Sequence, residues 1–98
     1  MVLDPGHRGI LEQLIDRTVK DMRMTVEFVR GDRYSKIIKD KNGEDFVLGF
    51  VLGRIDSIFK ATFVATQDRI LSDEEVREIE NITYNRIDEL KEAIFKCG

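Results

Sequence analysis

Apolar residues open the chain at helical spacing. Ile10, Leu11, Leu14, Ile15, Thr18, Val19 and Met22 return to one side every three to four positions, behind an Asp4-Pro5 start signal. An aspartate N-cap followed by proline, whose missing N–H costs nothing at the first helical position, predicts a helix over about 5–22. The far end repeats the pattern. Val76, Ile79, Thr83, Ile87, Leu90 and Ile94 form an apolar stripe behind "SDEE", in which Ser72 and Glu75 have capping-box spacing, so a terminal helix is predicted over 73–96.

Between these helices two patterns compete. Residues 47–64 fit a helix with Leu48, Val51, Leu52, Ile55, Ile58, Phe59 and Phe63 on one side. Gly49, Gly53, Asp56, Ser57 and Lys60 then face away, and the glycines form a GxxxG contact seam. In this alternative the protein is mainly α, with 45–65 as a helix. The strand pattern instead divides the middle into "TVEFV", "SKIIK", "FVLGFVL" and "IFKATFVAT", rich in β-branched and aromatic residues and separated by "GD", "NG" and "GRID".

Turn chemistry favours the strands. A two-residue turn at Asn42-Gly43 sets Ile37 against Leu48, and a four-residue loop at "GRID" sets Phe50 against Phe59. With Gly31-Asp32 as the first turn, Met24, Val26, Phe28, Ile37, Phe46, Leu48, Phe50, Phe59, Ala61 and Phe63 share one face. The expected fold class is therefore α+β, in the order α-β-β-β-β-α: a four-stranded antiparallel meander with both terminal helices on one face. The uncovered back of the last two strands would then expose Val47, Val51, Ile58 and Val64 around Gly49. Soluble monomers avoid such a patch, so these five residues are the expected oligomer interface, and a homodimer the expected state.

The 98 residues suffice for a single domain, 1–98, with 42% apolar and 36% charged residues. No apolar run is long enough to span a bilayer and the first residues lack a signal-peptide layout, so a cytoplasmic protein is expected. Abundant Glu, Lys and Arg are compatible with the charged surface of a thermophile protein.

Charge is unevenly spread: residues 1–16 carry −2, residues 17–41 carry +4 and residues 42–98 carry −5. Arg30, Arg33, Lys36, Lys39 and Lys41 are the candidate nucleic-acid contacts in the basic middle.

Chemistry-bearing groups are sparse. His7 is the only histidine and Cys97 the only cysteine. The first reads as an exposed helix-end side chain and the second as a plain thiol without a disulfide or zinc partner. Asp73, Glu74, Glu75, Glu78 and Glu80 complement a helix macrodipole without needing a metal. No phosphate-binding glycine loop is present. No catalytic set, metal or cofactor is expected, and the expected function is that of a structural or protein-interaction module.

The stretch "FKATFVATQDRILSDEEV" resembles the strand, turn and capped helix near the end of the ferredoxin-fold anticodon-binding domain of phenylalanyl-tRNA synthetases. The resemblance covers about residues 57–80. That family's domain opens and closes with strands, where this chain has "MVL" before Asp4 and "KCG" after the last helix. The resemblance implies tRNA contact, which makes an RNA-binding accessory domain the alternative function.

Overall fold

Asp4 caps the first helix as its sequence requires: the carboxylate accepts the His7 backbone N–H at 3.0 Å, and Pro5 follows at the first helical position. The computed structural model describes residues 2–31 and 43–97. Among them lie helices α1 (Pro5–Lys20), α2 (Met22–Val29), α3 (Glu44–Gln67), α4 (Asp73–Asn85) and α5 (Ile87–Phe95).

The α+β expectation is overturned, because no strand occurs among the described residues and the fold is all-α. "TVEFV" lies in α2, where Met22, Val26 and Val29 are buried at helical spacing while Met24 and Phe28 are 73% and 53% exposed. "FVLGFVL", "GRID" and "IFKATFVAT" are all parts of α3. "SKIIK" and Asn42 lie outside the described residues. Helix replaces hairpin for a packing reason: Val47, Val51, Ile55, Phe59 and Phe63 recur every fourth position, and each is at most 1% exposed. One helix buries all five against neighbours on a single side, whereas the meander would have left Val47 and Val51 in water. Gly43 accommodates the entry to α3 with φ 62° and ψ 24°, a left-handed conformation that suits glycine.

Both terminal helices are interrupted. The predicted 5–22 helix breaks at Asp21 (φ −94°, ψ 13°), after which α2 begins at Met22. The predicted 73–96 helix breaks at Arg86 (φ −110°, ψ 10°). Ile82 and Leu90 are buried on either side, and the position midway between them at i+4 spacing is Arg86. A straight helix would drive that guanidinium into the core; the break lets it leave.

Helix α1 packs most extensively on α3 and also touches α2, α4 and α5, while α5 packs against α2, α3 and α4. Leu11 and Ile15 of α1, the α3 row and Leu90 and Ile94 of α5 meet in one core, which Leu3 closes from the chain's start. Glu78 holds that start in place, accepting the backbone N–H groups of Val2 and Leu3 at 3.0 and 2.8 Å.

Candidate self-association face

Helix α3 carries four lengthwise rows at i, i+4 spacing. The core row is Val47 to Phe63. Two positions away, and so about 200° around the axis, runs the row Gly49, Gly53, Ser57, Ala61 and Ala65. Every member is small and exposed. On one flank lie Leu48, Leu52, Asp56, Lys60 and Val64, and on the other Phe46, Phe50, Arg54, Ile58 and Thr62.

The glycines of this row relieve no contact among the described residues. A Cβ placed on Gly49 or Gly53 would meet no atom within 4 Å, and neither residue has a positive φ. In an exposed helix interior each glycine costs about 1 kcal/mol relative to alanine. Gly9 of α1 also faces open space but stands alone; Gly49 and Gly53 begin a continuous small-residue row.

Both flanks mix apolar and charged residues. Ile58 and Val64 are 41% and 43% exposed. Phe28 of α2 leans on Phe50 with ring centroids 6.2 Å apart and planes tilted by 43°. Lys60 pairs with Asp56 at 3.1 Å.

Of the five residues expected to form an interface, Val47 and Val51 lie inside the chain's own core. Gly49, Ile58 and Val64 remain exposed, one on each of the other three rows of α3. The strand geometry that grouped all five is absent. Of the candidate nucleic-acid contacts, Arg30 caps the end of α2, and Arg33, Lys36, Lys39 and Lys41 lie outside the described residues.

His7 departs from expectation. It is 8% exposed, its Nδ1 pairs with the Asp4 carboxylate and its Nε2 lies 3.0 Å from Thr66 Oγ1. Its ring centroid sits 4.9 Å from that of Phe63. The bond from the His7 backbone N–H, followed by that from its ring, holds the Asp4 carboxyl below the usual range. Thr66 is itself bonded to the Thr62 and Phe63 carbonyls, so the set ties the start of α1 to the last turn of α3.

Two of the α4 acids, Glu75 and Glu78, are bound up in structure. Glu75 is 3% exposed, closes the capping box with Ser72 and receives both terminal nitrogens of Arg69 at 2.8 and 3.0 Å. Arg69's bonds first, then the Ser72 N–H, hold the Glu75 carboxyl down at about 2. Glu78 is also lowered, chiefly by the Leu3 N–H. No group of three or more His, Cys, Asp or Glu side chains among the described residues could hold a metal ion. Cys97 is half-buried and donates to the Ala93 carbonyl at 3.3 Å. No helix among the described residues is long and apolar enough to cross a membrane.

No protein-family model, curated protein or solved structure matches the chain. The strand part of the anticodon-domain likeness falls within α3, and its "LSDEEV" part begins α4 as the capping signature requires. Ser57, Ala61 and Ala65 were open to sequence reasoning as the continuation of the GxxxG seam; each lies four residues beyond the last.

Proposed function

We propose that the protein is a small helical interaction module that pairs with a second copy of itself across the small-residue row of α3. Gly49 and Gly53 carry this reading. They weaken an exposed helix without serving any contact among the described residues, and close approach by another backbone gives them a use.

The face suits a second copy because it complements itself. With a two-fold axis through Ser57 and the helices antiparallel, Gly53 lies opposite the partner's Ala61. Asp56 then lies near the partner's Lys60, and the reverse contact repeats it. Interdigitating i±4 ridges would cross the helices at about −50°. A single crossing buries less than the ~800 Å² per partner of a standard interface, so pairing should be concentration-dependent.

Sedimentation velocity across a concentration series tests this, using the parent chain and Gly53→Leu. Leucine is a better helix former than glycine and enters open space, so the variant should remain folded. The parent should pass from monomer to dimer and Gly53→Leu should stay monomeric. A parent chain that is monomeric throughout, or a folded Gly53→Leu that dimerises equally well, sinks the proposal.

A further inference from the structure

A groove of about 230 Å³ lies between α1, α2 and the Ile58 flank of α3. Leu14, Val51, Ile55 and Ile58 form an apolar wall, with Ile55 buried and Ile58 half-open. Arg17 of α1 and Arg54 of α3 line it from different helices. Among the described residues neither guanidinium has a carboxylate within 4.0 Å, although Asp21 lines the same groove. Thr25, also lining it, is only 8% exposed, yet its hydroxyl has just a long 3.5 Å approach to the Asp21 carbonyl. A buried hydroxyl so weakly bonded retains hydrogen-bonding capacity.

We infer that this groove binds a small amphipathic carboxylate, its headgroup between Arg17 and Arg54 and its apolar body against Ile55 and Ile58. Guanidinium forks match carboxylate oxygens in charge and geometry. The volume falls below the ~300 Å³ of the smallest drug-sized sites, which limits the apolar body to a short chain or a single ring. An amine of the same shape would face two cations, and a headgroup without a body would leave the apolar wall unused.

Octanoate, octylamine and acetate, each titrated into the protein followed by two-dimensional NMR, separate these contributions. Octanoate should give saturable shifts centred on Thr25, Ile55 and Ile58, with acetate and octylamine much weaker. Arg17→Gln and Arg54→Gln, both at exposed positions, should keep the fold and each weaken octanoate about tenfold, the loss of one charged hydrogen bond. Equal binding of octylamine, shifts centred elsewhere, wild-type affinity in both arginine variants, or no saturation below about 10 mM would overturn the assignment.

Discussion

Arg86, at the break between α4 and α5, donates to Asp16 in α1 at 2.6 Å. The same guanidinium bonds the Glu12 carbonyl at 3.2 Å and Glu89 at 2.9 Å, which joins three helices through one side chain. These bonds, those to Glu89 foremost, push the Arg86 pKa further above its ordinary value. Arg86→Ala should destabilise the protein by about 1–2 kcal/mol, because charged hydrogen bonds are lost but their acidic partners are largely in water. Urea unfolding measures this. Arg86→Leu should cost less, since leucine at this position extends the Ile82–Leu90 row.

Acid should weaken the fold in a defined window. The Glu75 carboxyl is at about 2 in the folded chain against an ordinary 4.5. Its contribution is therefore complete above about pH 4.5 and disappears as pH falls toward 2. Asp4 and Glu78 are lowered too and act in the same direction. Unfolding midpoints taken from pH 6 down to 2 should fall across this range. Glu75→Gln should lower stability at pH 7 by about 1–2 kcal/mol and flatten the acid dependence.

Gly49→Ala and Gly53→Ala should each stabilise the monomer by about 1 kcal/mol, since alanine enters open space on a helical backbone. Thermal unfolding at concentrations where the chain is monomeric gives the comparison. A loss of stability in either variant would show that the monomer itself needs glycine there.

His7→Ala should cost about 2 kcal/mol, combining a lost buried ring with the hydrogen bonds to Asp4 and Thr66. Thr66→Val removes only one end of the set and should cost about half as much. Chemical denaturation of the two variants and their double mutant would show coupling, with the combined loss smaller than additive.

The two helix starts were legible because each is written in a few neighbouring residues: Asp4-Pro5 for α1, Ser72 with Glu75 for α4. The core side of α3 was harder to read. Phe59 and Phe63 are core positions in either a helix or the meander, while Val47 and Val51 are core only in a helix. Leu48, Leu52, Phe46 and Phe50 add apolar character to both flanks, which blurs a period of four into a continuous run. β-branched and aromatic content then favours strand, and packing along a single unbroken row overrides it. The breaks at Asp21 and Arg86 carry no glycine or proline to announce them. Of the five residues expected at an interface, the strand geometry that grouped them is replaced by a helix that buries Val47 and Val51 and leaves Gly49, Ile58 and Val64 exposed.

The bond from Leu3 to Glu78 spans 75 residues of sequence. Closing so long a loop costs entropy before any contact returns it, whereas the turns within α3 form from neighbours alone. This tie should therefore form after the rate-limiting step of folding. Glu78→Ala would then leave the refolding rate nearly unchanged and quicken unfolding, so that the first visible effect is a shorter lifetime of the native chain against proteases.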